Sequence, residues 1–207
     1  MADIKPRPAA PDRAGLYELA TEHMGHFTVE QAAAFGYSPA LLSYHAKRGN
    51  LRRVHRGVYR FRDFPPSPRE DVAAAWLAVG RDAAVVSHDS ALDLWDLSDV
   101  VPSAVHLTVP RAHRSLARGS SPGVVIHTTL RPWREGDVRP HQGLRVTSPE
   151  RTILDAAEAG TAPEQVEMAV RQALDRGWLD AARLRAGAAA RGQRVANLID
   201  RGLRSGG

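Results

Sequence analysis

The stretch "SPALLSYHAKRGNLRRVHRGVYRF", residues 38–61, decides the architecture of the first third of the chain. Ser38 is placed to cap a helix whose first position is Pro39, where a missing N–H costs nothing, and Gly49 closes that helix. At 100° per residue, Leu41, Leu42, His45, Ala46 and Gly49 fall on one side and Ala40, Ser43, Tyr44 and Lys47 on the other. One side is built for a core, and His45 belongs to it as a packed histidine. The other presents hydroxyls and a cation. Residues 51–55 and 58–62 then read as two strands turned at Arg56-Gly57, where the glycine accepts positive φ. Leu51, Val54 and Val58 are expected to pack inward while Arg53, Arg56 and Arg60 bracket the tip.

Upstream, "PDRAGLYELATEHMG" sets Leu16, Leu19, Ala20 and Met24 at helical spacing and stops at Gly25. In "FTVEQAAAFGY", Thr28 and Gln31 form a capping-box pair, and Gly36 ends a short helix of about residues 29–35. Three short helices followed by a basic hairpin is the order of a winged helix-turn-helix, with the third helix as the recognition helix and the hairpin as the wing.

Charge supports that reading. Residues 38–63 hold seven Lys or Arg and one acid, a net of +6, so the rest of the 207-residue chain sums to −1. Clustered cations on one small element are the footprint of a phosphate-backbone binder. Ser43, Tyr44 and Lys47 are therefore candidates for the groove, with Arg48, Arg52, Arg53, Arg56 and Arg60 as backbone contacts. A second basic stretch runs over residues 183–204, whereas residues 65–182 carry 12 basic and 16 acidic groups, a net of −4. There are no cysteines, so disulfides and thiolate chemistry are excluded. No apolar run is long enough to cross a bilayer and the opening residues lack a signal-peptide core, so a cytoplasmic protein is expected.

A proline-rich joint, "FPPSPRED", carries a second capping-box pattern in Ser67 and Glu70 with Pro68 at the first turn, and it predicts a helix of about residues 68–80. The domain boundary is accordingly expected near residue 65. The fold class is α+β: a winged helix-turn-helix in residues 1–64, then a mixed α/β domain with a helical tail in 65–207. Within the latter, strands are expected at 83–87, 104–109, 124–129 and 143–147. Helices are expected near 88–96, 149–159, 163–176, 180–190 and 193–203, and residues 111–123 read as a basic loop. Trp76, Trp95 and Trp178 sit in helical apolar patterns and are assigned to the core.

No active site stands out. "SHDSALDLWDLSD" offers Ser87, His88, Asp89, Ser90, Asp93 and Asp96, but no nucleophile elbow or H-E-x-x-H pattern accompanies them. Ser87 reads as a helix cap, and Asp93, Asp96 and Asp99 as a solvated face. Arg151 and Asp155, four residues apart on one helix, read as a surface pair or as an arginine docking the helix on the sheet. No catalytic residue, metal site or cofactor is assigned.

"KRGNLRRVHRGVYRF", "VVSHDSALDLWDL", "AVHLTVP" and "LRVTSPERTILDAAEAG" together resemble the AbiEi-type antitoxin family of abortive-infection type IV toxin–antitoxin systems, over roughly residues 12–178. The Gly-Val-Tyr at the end of the wing and the Thr-Ser-Pro-x-Arg-Thr-x-x-Asp segment are its most specific parts. The resemblance implies a winged helix that binds inverted repeats of double-stranded operator DNA in its own promoter as an autorepressor. It also implies a C-terminal domain that neutralises a cognate nucleotidyltransferase-like toxin. By position, the recognition helix is 39–48, the wing Arg53 to Arg60, and the "TSPERT" segment 147–152. A homodimer or a cooperative pair would read two half-sites, and no membrane is involved. Two alternatives stay open: a metal-dependent nuclease using Asp89 and Asp155, and a plain ligand-responsive repressor.

Overall fold

A computed structural model describes residues 10–119 and 122–204. Contacts divide the chain into two units, one running to Ala78 and the other beginning at Val79. In the first, α1 (Arg13–Thr21), β1 (His26–Thr28), α2 (Val29–Ala34), α3 (Pro39–Lys47), β2 (Leu51–His55), β3 (Val58–Phe61) and α4 (Glu70–Val79) follow in order. Two of the caps that the sequence predicts are made here. Thr28 accepts from the Gln31 N–H while the Gln31 side chain accepts from the Thr28 N–H, and Ser38 accepts from the Leu41 N–H with Pro39 at the first position. The strand β1 has no counterpart in the expected elements. It pairs with β3 to make a three-stranded antiparallel sheet in the order β1-β3-β2.

One face of this sheet carries the core, in which Phe27, Leu51, Tyr59 and Phe61 pack with Leu16, Ala20, Ala32 and Leu42 from the helices. The opposite face carries His26, Arg60 and Arg52, which are neighbours across the strands. Glu70 closes that face. Its carboxylate lies 2.7 Å from Arg60 and 3.1 Å from Arg52. Burial opposes the charged form of Glu70, yet Arg60, the Ser67 backbone N–H and Arg52 together hold its carboxyl below the usual range. The same burial, with Arg60 adding to it, pushes His26 down to about 4. Because Glu70 belongs to α4 and serves the sheet, the proline joint lies inside the first unit. The division after Ala78 replaces the boundary expected at residue 65.

The second unit holds β4 (Val85–Val86), α5 (His88–Leu94), β5 (Val105–Pro110), a 3-10 helix (Arg111–Gly119), β6 (Val124–Thr129), β7 (Val138–His141) and β8 (Leu144–Thr147). Four helices follow: α6 (Pro149–Ala159), α7 (Pro163–Asp175), α8 (Ala181–Ala189) and α9 (Gln193–Arg204). The sheet runs β6-β5-β4-β8-β7, parallel at β5/β6 and β4/β8 and antiparallel elsewhere. A single core joins α5 to the four C-terminal helices through Leu92, Leu97, Ile153, Val166, Val170, Leu184, Leu198 and Ile199. The predicted basic loop is largely the 3-10 helix, with residues 120–121 outside the described part. The strand β7 was also unforeseen. Trp76 is buried as expected, but Trp178 is 40% exposed and lies edge-on to the half-buried Trp95.

The "TSPERT" segment is the joint between β8 and α6. Ser148 caps the helix, Pro149 opens it, and the Thr147 and Thr152 hydroxyls meet at 2.6 Å. Arg151 is a docking residue and its pair is not on the surface. It reaches Asp155 at 2.8 Å and Asp137 at 3.1 Å, and Arg191 reaches Asp155 from beyond α8 at 2.9 Å. Asp155, with three hydrogen bonds from two guanidiniums on one carboxylate, is committed to structure.

Replacing Glu70 with Ala strands the Arg60 guanidinium in a closed site, and should cost about 1–3 kcal/mol. Urea unfolding of the full chain measures it. The midpoint should drop for Glu70→Ala and drop less for Glu70→Gln; equal midpoints in all three proteins would mean that the pair does not hold the sheet.

Candidate nucleic-acid interface

Helix α3 stands on its domain by Leu42, which is fully buried, and by the half-buried Leu41 and Ala46. Its other face is open. Ser43, Tyr44, Lys47 and Arg48 are exposed, Tyr44 at 50%, and the Arg48 guanidinium lies 5.4 Å from the centre of the Tyr44 ring. These four side chains form one continuous polar and cationic surface, as the helical spacing predicts. His45 departs from expectation. It is half-buried at the edge of the core, with its ring between those of Tyr37 and Tyr44 and the Asn50 amide 3.2 Å from its Nδ1.

The wing divides its cations. Arg53 and Arg56 are exposed and, among the described residues, neither makes an ion pair. Arg52 is exposed but leans on Glu70. Arg60 is buried, with 7% of its side chain accessible, and donates to the Phe61 and Pro65 carbonyls in addition to its pair with Glu70. This corrects the expectation that Arg60 brackets the tip. A plain two-residue turn would pair Arg53 with Arg60 and set both on one face. The hairpin instead carries a bulge between Arg53 and His55, so that Arg53 pairs with Tyr59 and Arg52 with Arg60. Arg60 alternates with Tyr59 and Phe61 on β3, so it lies on the face opposite the core, where Glu70 covers it. Val58 and Leu51 pack inward as expected, while Val54, the bulged residue, is half-buried. Glu70, which removes Arg60 from the surface, was read from the sequence only as a helix cap.

The second basic stretch is largely paired within its own unit. Arg183 pairs with Glu150, Arg185 with Asp200, Arg191 with Asp155 and Glu158, and Arg201 with Glu167, while Arg194 donates to the Ala157 and Glu158 carbonyls. Asp89 and Asp155 do not form a carboxylate pair free for metal chemistry. Thr161 donates to Asp89 at 2.6 Å, and Asp155 is clamped by two arginines. Ser87 corrects its reading as a cap: its hydroxyl makes no capping bond and instead meets Thr108 and His88.

Residues 16–62, from within α1 to just past β3, match a family model described as transcriptional regulator, AbiEi antitoxin. The match covers the helices and hairpin at the start of the resemblance stated from the sequence, which ran over roughly residues 12–178. Among solved structures, the chain is similar to the RV2827C protein from Mycobacterium tuberculosis, with a TM-score of 0.60 at 18% identity, covering 95% of this chain and 80% of that one. At this identity the likeness is one of fold. A search of the curated proteins gives no match. Among the described residues, no helix is long and apolar enough to cross a membrane.

If this wing lies on DNA, Arg53→Ala and Arg56→Ala should each lower the slope of log affinity against log salt by about 0.9, for any duplex. Filter binding or fluorescence anisotropy over a salt series measures this. An unchanged slope in the double variant would remove the wing from the DNA face.

Proposed function

We propose that the protein represses its own gene by binding an inverted repeat upstream of it, with α3 in the major groove and the β2–β3 wing on the backbone. The observation that carries this reading is the open face of α3. Ser43, Tyr44 and Lys47 point away from Leu42 beside a wing whose Arg53 and Arg56 have no other partner among the described residues. Hydroxyl and ammonium groups at that spacing can meet base-edge acceptors, while the outward arginines supply the sequence-independent attraction. One winged helix reads only a short half-site, so two copies are needed for useful discrimination, as a dimer or as neighbours on DNA.

We further propose that the chain is the antitoxin partner of a nucleotidyltransferase-like toxin, a reading that rests on the family match to an antitoxin regulator. It acts as a regulator without catalysis of its own. The commitment of Asp155 to Arg151 and Arg191 weighs against the nuclease alternative.

Operator and scrambled duplexes compared in one buffer test the first proposal. Tyr44→Ala and Lys47→Ala should each cost about 1–3 kcal/mol on the operator and much less on the scrambled duplex. Equal losses on both would make α3 a positioning element and move specificity to the wing or to DNA shape. Co-expression of the full chain with a cognate nucleotidyltransferase-like toxin tests the second, with restored growth expected and continued arrest as the contrary result.

A further inference from the structure

A cleft of about 550 Å³ opens in the second unit among α5, β5, β6 and α6, a size that suits a small metabolite. Its floor is made of histidines. The His88 and His127 rings stack with centroids 3.6 Å apart, and His106 Nδ1 lies 3.0 Å from His127 Nε2. His88 Nδ1 is 2.8 Å from the Ser87 hydroxyl, which is in turn 2.7 Å from the Thr108 hydroxyl. Each of the two stacked rings therefore uses one nitrogen inside the protein. The other nitrogen, Nε2 of His88 and Nδ1 of His127, has no partner among the described residues, and both rings line the cleft. Burial, followed by the neighbouring histidines and arginines, pushes His88 down to about 2, and burial lowers His106 and His127 as well, so the floor is neutral. His88 also holds a left-handed backbone, φ 52°, which costs a residue with a Cβ energy that the surrounding fold must supply.

The charges on the walls differ in whether they are answered. Asp155 is held by Arg151 and Arg191, and Glu158 by Arg131 and Arg191. Arg111, the first residue of the 3-10 helix, lines the same cleft, is exposed, and has no ion pair among the described residues. The acids of the cleft are neutralised from within, and a guanidinium is left over. Face-to-face stacking keeps the imidazole nitrogens from converging, and no group of three metal-ligating side chains occurs among the described residues.

We propose that this cleft binds a small phosphate-bearing anion, with Arg111 pairing the phosphate and the neutral His88 and His127 rings offering N–H donors from the floor. Neutral imidazoles suit the task, because they can donate to an oxyanion without a second buried charge in the ground state. The proposal uses no residue of the first unit and stands apart from the DNA reading.

The test is histidine-detected NMR on the full chain titrated with inorganic phosphate, against chloride at equal ionic strength. The wild type is compared with Arg111→Ala and with the wing variant Arg53→Ala/Arg56→Ala, which removes anion binding at the DNA face. The His88 and His127 resonances should move saturably in the wild type and the wing variant, and Arg111→Ala should weaken the apparent affinity by about tenfold or more. Because Arg111 is exposed, its replacement leaves the fold in place. Unmoved His88 and His127 resonances in the wild type, or an undiminished affinity in Arg111→Ala, would overturn the proposal.

Discussion

The Arg60–Glu70 ion pair, 2.7 Å long and almost closed to solvent at Arg60, decides which cations of the first unit are free to act. A three-stranded sheet with apolar residues on one face has to place every second side chain on the other. His26, Arg52 and Arg60 occupy that other face. Two guanidiniums and an imidazole brought together there need a counter-charge, and Glu70 supplies it while His26 stays neutral. The pair is a condition for the sheet, and the sheet is the base on which α3 and the wing stand. With Arg60 taken inward, the outward cations of residues 38–63 are Lys47, Arg48, Arg53, Arg56 and Arg62, with Arg52 shared.

The same sorting separates the two basic stretches of the chain. In composition they look alike. Over residues 183–204, Arg183, Arg185, Arg191, Arg194 and Arg201 reach carboxylates or carbonyls of their own unit, and Arg191 and Arg194 together tie α6 to the start of α9. Around α3 and the wing, several cations have nothing to answer them. An unanswered cluster is an electrostatic resource for a polyanion, whereas an answered one is cement. Small residues complete the C-terminal packing: a Cβ added at Gly187 would come within 2.6 Å of Leu154, which explains a glycine inside α8.

Much of this was legible in the sequence because it is local. Capping boxes, Pro39 at a first helical position and the Gly57 turn are written within a few residues of their effect, and the helices α5 to α9 follow from periodicity. What was missed depends on partners far along the chain. The strand β1 is three residues long and exists because β3 lies beside it. The strand β7, "VRPH", contains Pro140, which suits an edge strand but conceals it from any propensity argument. The bulge at Arg53–His55 cannot be read from alternation, since it is the interruption of alternation, and it sets Arg52 rather than Arg53 opposite Arg60. The binding of Arg191 to Asp155 spans 36 residues, and the stacking of His88 on His127 joins α5 to β6. In the candidate interface the residues of α3 were readable and those of the wing only in part.

A footprint of the full-length protein on the DNA upstream of its own gene tests the central claim most directly. The account predicts two protected half-sites in inverted orientation, their centres on one face of the duplex about 10 base pairs or a multiple apart, with major-groove contacts at each. Uniform protection without half-sites, or protection confined to the minor groove, would contradict it.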